Sequence, residues 1–313
     1  MRVTSRMHRR AAAAIAPAMV MLAAGCSTAN SPAATAGGGP GGKIVVVATE
    51  NFWGGIARQL GGTHITETSI INNPNTDPHD YEPTAADART IASARLVIVN
   101  GIGYDPWAPK LLAANPVQGR RTLTVGDLLG LKPGDNPHQW YSAAHVRRVI
   151  EAITADYKRI DPGDASYFDS QQKTFETKTL ARYNRLIAQV RARYAGTPVG
   201  ASESIVSRLA ATLGLKMLTP YSFLKAISEG TEPTAQDKAT IDAQIKGKQI
   251  KIYVYNSQNA TPDVAAQVKE ATAAGIPVTT VTETLTPAGA TFQQWQVSEL
   301  QGIENALHQA TGK

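Results

Sequence analysis

The sequence predicts an α/β fold of two lobes, each with a mainly parallel four-stranded sheet, joined by a long rigid connector helix. Short apolar runs rich in β-branched residues alternate with segments of helical spacing, which is the order expected of βα units on parallel sheets. This alternation stops once, between residues 142 and 194, where no strand candidate occurs. The break divides the strand candidates into two groups of four.

The strand candidates share short length and apolar character, and Gly or Pro separates them from helical segments. In chain order they lie at residues 43–48, 64–70, 95–100, 121–125, 197–201, 215–220, 250–256 and 276–282. Helical spacing predicts helices at residues 52–60, 85–94, 105–114, 203–213, 235–246 and 262–274.

The connector is predicted from residues 164–194, where apolar and aromatic side chains recur at helical spacing. A helix of this length is about 45 Å long at 1.5 Å per residue. Asp161, Pro162 and Gly163 end the helix before it. We therefore expect an N-terminal lobe at residues 43–160, a connector at 161–196 and a C-terminal lobe at 197–313, although packing of the long helix on one single sheet is an alternative.

The first 25 residues are predicted to be a lipoprotein signal peptide. Four arginines precede an apolar run at residues 11–24, which is too short to span a bilayer. The run ends in the letters LAAGC, which resemble a bacterial lipobox, and its last residue is Cys26, the chain's one cysteine. We expect cleavage before Cys26 and lipidation of its sulfur, with an ordinary buried thiol as the alternative. Residues 26–42, rich in Ser, Ala, Gly and Pro, are then a flexible tether.

Composition narrows the class of protein further. The formal net charge is +6, and loss of the four signal arginines leaves +2, so nothing in the charge points to a nucleic-acid partner. A single cysteine excludes disulfides within the chain. After the signal no apolar run approaches the roughly 20 residues of a membrane span, so we expect a monomer held at the outer face of the cell membrane by lipid alone.

Four side chains follow predicted strands at the positions where α/β sheets bind ligands, beyond the carboxyl ends of the strands. His79 follows the second strand and His138 follows the fourth, each directly after a proline. In the second half, Glu203 follows the first strand and Glu283 follows the last. Each lobe would present two of these side chains to one cleft.

Two imidazoles and two carboxylates suit one divalent first-row metal ion, since they supply four donors and two negative charges. The prolines before His79 and His138 restrict the local backbone and would reduce the entropy lost on binding. The alternatives are structural roles: a histidine in a polar loop often binds nothing, and Glu203 could serve the N-terminus of the helix at 203–213. The recurrence of this pattern in four loops favours a metal site.

Five segments resemble the cluster A-I solute-binding proteins of zinc and manganese ABC transporters. They read NFWGGIARQLGG, DPHDYEPTAAD, LVIVNG, NPHQWYSAAHV and IPVTTVTETL, and the resemblance extends over residues 43–310. It implies that one Zn²⁺ or Mn²⁺ ion is bound between two lobes as the transported ligand, and that the partners are an ABC permease and its ATPase.

The resemblance also implies which residues bind the ion. The family's motif histidines fall on His79 and His138, and its third ligand, a His or a Glu, falls on Glu203. Its fourth ligand is most often Asp, whereas this chain has Glu283. The His-rich acidic insertion of zinc-specialised members is absent between residues 84 and 136. The remaining histidines after the signal are expected not to bind metal: His64 in a surface strand, His145 on a helix and His308 near the C-terminus.

Three other functions are alternatives to that of a non-enzymatic receptor. A metallohydrolase would use a metal with an open coordination position to activate water, but the chain has no HExxH segment, nucleophile elbow or phosphate loop. A surface adhesin is a second alternative, without a supporting repeat. Related helix-linked binders of iron chelates or corrinoids are a third, but these use aromatic and basic clefts rather than two Pro-His loops.

Overall fold

The computed structural model describes residues 34–35, 42–74, 76, 78 and 81–313. The predicted signal peptide, Cys26 and most of the tether lie outside the described residues. His79 also lies outside them. In the described part of the chain, no helix combines the length and the apolar character needed to cross a membrane.

Within the described residues, ten strands form two four-stranded sheets and one short two-stranded pair. They are β1 (Ala34–Thr35), β2 (Ile44–Glu50), β3 (Ile65–Ile71), β4 (Leu96–Val99), β5 (Val117–Gln118), β6 (Arg121–Thr124), β7 (Pro198–Ala201), β8 (Lys216–Met217), β9 (Ile252–Asn256) and β10 (Val278–Val281). The N-terminal sheet has the order β3-β2-β4-β6 and the C-terminal sheet the order β10-β9-β7-β8. All neighbouring strands are parallel, which confirms the predicted fold class.

In each sheet, successive strands are added first on one side of the first strand and then on the other. In the N-terminal lobe the chain leaves β2, places β3 on one side and later places β4 on the other. The C-terminal lobe repeats this with β7, which lies between β8 and β9. The loops beyond the carboxyl ends of the strands separate at such a switch point and leave a crevice for a ligand.

In the part of the chain that the structure describes, twelve α-helices surround the sheets. They are α1 (Asn51–Gly61), α2 (Ala85–Ser93), α3 (Trp107–Ala114), α4 (Val125–Leu129), α5 (Ala143–Ile160), α6 (Ala165–Thr174), α7 (Ala181–Tyr194), α8 (Ile205–Leu213), α9 (Tyr221–Ser228), α10 (Ala235–Lys246), α11 (Pro262–Ala273) and α12 (Phe292–Thr311). Threonine capping boxes begin α2 at Thr84 and α12 at Thr291, because each side chain accepts a bond from the third residue of its helix. All six helices predicted from spacing are present, whereas α4, α9 and α12 were not predicted.

Helix α1 lies directly after the first long strand and packs closely on β3. A Cβ atom at Gly54 would lie 2.1 Å from Oγ of Ser69 and 2.3 Å from Oε1 of Glu67, so only glycine allows this approach. Phe52 and Trp53, at the start of the same helix, are fully buried in the main core. This packing fixes the end of β2 against the loops of the cleft.

The predicted connector is helical throughout most of its length but contains a π-helical segment, Phe175–Thr179, between α6 and α7. The amide of Leu180 bonds to the carbonyl of Phe175, five residues earlier, at 2.9 Å. Phe175 and Leu180 are both buried, and a π turn is what places residues five apart on one face. The first half packs on α1 and α5, and the second on α8 and α12. The connector thus touches both lobes, as predicted, without being one regular α-helix.

The position of His64 was predicted wrongly. It ends a 3₁₀ turn, Gly62–His64, and the strand begins one residue later at Ile65. The turn begins at Gly62, the C-cap residue after the end of α1 at Gly61, where a φ of +52° suits glycine. Apolar alternation alone does not mark this boundary.

Candidate metal centre

Three of the four predicted ligands lie within the described residues, and all three are buried at the carboxyl ends of the two sheets. The exposed fractions are 0% for His138, 0% for Glu203 and 5% for Glu283. Glu203 follows β7 by two residues and Glu283 follows β10 by two, while His138 is at the end of the long loop after α4. Ionisable side chains are rarely this buried without a partner of opposite charge or a bound cation.

His138 and Glu283 approach each other from different lobes, with Nε2 of the imidazole 3.9 Å from Oε1 of the carboxylate. The other ring nitrogen, Nδ1, lies 3.1 Å from Oδ1 of Asn136, which can only accept. In the neutral ring Nδ1 therefore carries the hydrogen, and the lone pair is on Nε2, directed toward the cleft. This is the tautomer that a metal ligand requires.

Glu283 is oriented by hydrogen bonds from both lobes. The hydroxyl of Tyr104, from the N-terminal lobe, donates to Oε2 at 2.9 Å. The side-chain amide of Asn256, at the end of β9, donates to Oε1 at 3.2 Å. Two donors on different oxygens restrict the orientation of the carboxylate, and contacts of this type tune how a ligand binds.

Glu203 lies in the interior of the C-terminal lobe. Its Oε2 accepts a bond of 3.2 Å from the hydroxyl of Ser228, at the end of α9. The neighbouring Ser204, not Glu203, is the N-cap residue of α8, and its side chain makes no capping bond. Ser204 Oγ instead lies 3.3 Å from Nδ1 of His138. Ser204 thus links the Glu203 segment to the histidine of the other lobe.

The segment that carries His79 contributes to the mouth of the same cleft. Pro74, Thr76 and Pro78 line a cavity of about 270 Å³ whose other walls are residues 256–259 and Glu283. His79 itself is not among the described residues, so its role as a ligand stays a prediction.

Tyr104 was not predicted as a site residue, although its loop follows a strand. The loop after β4 has three successive residues with positive φ: Gly101 at 72°, Ile102 at 63° and Gly103 at 88°. For Ile102, which is β-branched, this conformation costs on the order of 1–3 kcal/mol. Asp105 holds the loop by accepting backbone N–H bonds from Asn100 at 2.9 Å and Gly101 at 2.7 Å. Strain of this kind is concentrated at functional sites, which fits the contact of Tyr104 with Glu283.

Two further buried acids lie beside this loop. The hydroxyl of Thr49 lies 2.7 Å from Oε2 of Glu50 and 2.8 Å from Oδ2 of Asp105. Burial raises the pKa of Asp105, and burial followed by the charge of Asp105 raises the pKa of Glu50 well above its ordinary range. The raised pKa values favour a protonated carboxyl in this pair of acids. The Thr49 hydroxyl has one hydrogen, so it cannot donate to both acids at once.

Aromatic rings form the wall behind His138. Trp140 meets the imidazole edge to face at a centroid distance of 5.2 Å, and Tyr104 does so at 6.0 Å. Phe52 stacks on Trp140 at 3.8 Å. This wall keeps water from one side of the site, which strengthens electrostatic interactions there.

The remaining histidines have other contacts. His145 lies on α5, as predicted, with Nδ1 2.6 Å from Oε1 of Gln139, and burial lowers its pKa. His64 bonds to Asp164 at 2.5 Å, and with Asp161 these residues place potential ligand atoms within 4.8 Å of one another. His308 is exposed on α12. That none of the three binds metal stays a prediction.

Comparison with known proteins places the chain in a family. Residues 46–306 match the family described as ZnuA, zinc-uptake complex component A, periplasmic. The match covers most of the chain, so this protein belongs to that family. The match confirms the resemblance that the sequence motifs indicated. The two parallel sheets agree with the fold expected from that resemblance.

Several curated relatives are named for different metals. The zinc-binding lipoprotein AdcA of Streptococcus pneumoniae is 25% identical over 284 residues, covering 81% of this chain and 53% of that protein. The manganese-binding lipoprotein MntA of Halalkalibacterium halodurans is 24% identical over 160 residues, covering 50% of this chain and 52% of that protein. The iron-binding protein YfeA of Yersinia pestis is 28% identical over 185 residues, covering 56% and 58%. The chain spans about half the length of the curated relatives it matches.

Solved structures share the fold. The Mn-bound periplasmic metal-binding protein of Candidatus Liberibacter asiaticus has a TM-score of 0.70 and 22% identity, covering 85% of this chain and 100% of that chain. FpvC of Pseudomonas aeruginosa, described as a complex with Mn²⁺, has a TM-score of 0.69 and 20% identity, covering 85% and 98%. At these identities the comparison establishes the architecture alone.

Proposed function

We propose that this chain is an extracytoplasmic solute-binding protein that captures one divalent transition-metal ion and delivers it to an ABC permease. The observation that carries the proposal is the approach of His138 and Glu283, both buried, from opposite lobes to 3.9 Å. Two ligand atoms of one tetrahedral ion, each at about 2.1 Å, are roughly 3.4 Å apart. A movement of about half an ångström would therefore let one ion bind both atoms.

The charge of the site supports a cation as the ligand. Glu203 and Glu283 are buried carboxylates that follow strands of the C-terminal lobe, and His138 presents a neutral nitrogen from the other lobe. Burying carboxylates is costly, and a bound divalent ion would offset that cost. His79 would complete a set of four donors with no net charge once the ion is bound.

The ion is Zn²⁺ or Mn²⁺ in this proposal. Carboxylate oxygens favour Mn²⁺ relative to sites made of nitrogen or sulfur, but the Irving–Williams order places Zn²⁺ above Mn²⁺ at almost any such site. Relatives named for zinc, manganese and iron show that the family as a whole does not select one metal. We expect the isolated chain to bind Zn²⁺ more tightly.

Lipid at Cys26 would hold the receptor at the outer face of the membrane, where a permease and its ATPase take over the ion. Relatives named as lipoproteins and the periplasmic description of the family support this location. The family is described by uptake, which favours a receptor over a metallohydrolase or an adhesin. We propose that the receptor acts as a monomer and performs no chemical step.

The test is a titration of the purified full chain, in detergent and freed of metal, with Zn²⁺ and separately with Mn²⁺. We expect one ion per chain, and His138→Ala should weaken binding by on the order of 100-fold or more, because one of four donors is lost. His308→Ala, a change of an exposed histidine, is the matched control and should bind as the parent does. Absence of stoichiometric binding, or equal affinities of parent and His138→Ala, would refute the proposal.

A further inference from the structure

Gln258 touches a predicted ligand on its own lobe and the backbone of the other lobe at the same time. It lies in the loop after β9, at the mouth of the cavity lined by Pro74 and Glu283. Its Oε1 accepts bonds from the backbone N–H of Glu283 at 2.7 Å and of Thr284 at 3.1 Å. These bonds hold the turn from which the Glu283 carboxylate projects.

The nitrogen of the same amide crosses the cleft. Nε2 of Gln258 donates to the carbonyl oxygen of Pro74 at 2.6 Å and to Oγ1 of Thr284 at 2.8 Å. Pro74 belongs to the N-terminal lobe and to the segment that continues to His79. One planar group therefore connects the loop of one predicted ligand with the segment of another.

Asn136 makes the corresponding contacts deeper in the cleft. Its Oδ1 accepts from the backbone N–H of His138 at 2.9 Å, and its Nδ2 donates to the carbonyl oxygen of Ser204 at 2.7 Å. Ser204 is in the C-terminal lobe, next to Glu203. In both cases the oxygen of an amide orients a ligand residue of its own lobe, and the nitrogen bonds to the other lobe.

We propose that Gln258 is a positioning residue that makes retention of the ion depend on contact between the lobes. This inference rests on the proposed function. The side-chain amide supplies an acceptor for Glu283 and a donor for Pro74 on one rigid group. When the lobes separate, the bond to Pro74 breaks, and the other lobe no longer fixes the amide that holds the turn carrying Glu283. Outer contacts of this type commonly change metal affinity by about 10–100-fold.

Two variants separate the two halves of the amide. Gln258→Glu keeps the oxygen that accepts from Glu283 but loses the donor to Pro74, whereas Gln258→Met removes both without adding charge. Gln258 is exposed, so neither change disturbs the core. The matched control is Gln293→Glu, which likewise keeps an accepting oxygen but loses the donor of a second interlobe amide pair. In that pair Gln293 donates to Gln59 at 2.9 Å and accepts from it at 3.1 Å, and neither residue touches a predicted ligand.

The measurement is the rate at which Zn²⁺ leaves the loaded full chain for a chromophoric chelator in a stopped-flow instrument. We expect release to be faster by about 10-fold in Gln258→Glu and at least as fast in Gln258→Met. Gln293→Glu should release the ion within about 2-fold of the parent rate, because a half-buried bond between neutral amides contributes little and this pair holds no ligand loop.

Three outcomes would decide against the inference. Parent-like release from Gln258→Met would show that the residue does not position Glu283. Parent-like release from Gln258→Glu alone would show that the bond across the cleft is not needed. Equal acceleration in Gln293→Glu would show a general loosening of the lobes instead. If His138→Ala also retained the ion, the proposed function itself would fail, which the Gln258 variants alone would not indicate.

Discussion

Nε2 of His138 lies 3.9 Å from Oε1 of Glu283, and the two residues belong to different lobes. An ion bound to both would connect the lobes directly, so its arrival and release would be coupled to their approach and separation. Oδ1 of Asn136 lies 3.1 Å from Nδ1 of His138, and the hydroxyl of Tyr104 donates to Glu283 at 2.9 Å, so each of the two side chains is oriented by a neighbour.

Glu283 is the position where the chain departs from the usual aspartate of the resembled family. Glu283→Ala should weaken Zn²⁺ binding by up to about 100-fold, because it removes one of four donors. Glu283→Asp should restore part of that loss if the oxygen can still reach the ion from a shorter side chain. Competition titration with a chelator of known affinity measures both. Parent-like affinity of Glu283→Ala would remove this residue from the site.

Tyr104 should contribute to the affinity for Zn²⁺ through its hydroxyl rather than its ring. Tyr104→Phe keeps the contact with Trp140 but loses the 2.9 Å bond to Glu283, so the affinity for Zn²⁺ should fall by about 10-fold. The same titration on Tyr167→Phe is the control, since that hydroxyl bonds to Thr63 and Gln171 near the connector. An unchanged affinity in Tyr104→Phe would mean that Glu283 is oriented without it.

Much of the candidate site was predictable because its residues occur in local patterns. The strands are marked by apolar runs, and Glu203 and Glu283 follow β7 and β10 by two residues, whereas His138 is marked by the Pro-His pair in the long loop after α4. Tyr104 could also have been predicted, since its loop follows β4. It was missed because the pattern included only the histidines and acids of the loops. The role of Gln258 could not be predicted from the sequence, because it depends on a contact with Pro74, 184 residues away in the chain. Such contacts depend on how two lobes meet, which no local pattern encodes.

Glu299 should make stability depend on pH. Its carboxyl lies in the interior, where burial raises its pKa from 4.5 to about 8. The hydroxyl of Tyr141 lies 2.6 Å from Oε2 of Glu299 and 2.7 Å from the carbonyl oxygen of Thr282. A hydroxyl has one hydrogen for these two contacts, so a proton on Glu299 is needed to satisfy both.

At Glu299 the folded chain therefore binds one proton more than the unfolded chain between pH 4.5 and about 8. The free energy of unfolding should fall as pH rises through this window and should not change from this source below it. Glu299→Gln, which imitates the neutral acid, should remove that part of the slope. Urea unfolding of the metal-free chain from pH 4 to 9 compares the two. Parallel stability curves would contradict a protonated Glu299.

Cys26 should anchor the chain without contributing to its core. Cys26→Ser should abolish lipidation and release the protein from membranes, since one residue carries the predicted lipid. Thermal unfolding of the released protein should match that of the anchored form. Detergent phase partitioning of cell extracts measures the first effect. A Ser variant that still enters the detergent phase would contradict the lipobox interpretation.

The most direct test of a metal centre between the lobes is a crystal structure of the Zn²⁺-loaded chain with anomalous data collected at the zinc edge. We predict one strong anomalous peak per chain, at about 2.0–2.2 Å from Nε2 of His138 and from carboxylate oxygens of Glu203 and Glu283, with His79 as the fourth ligand. A principal peak at His64, Asp161 and Asp164, or elsewhere on the surface with the cleft empty, would contradict the account.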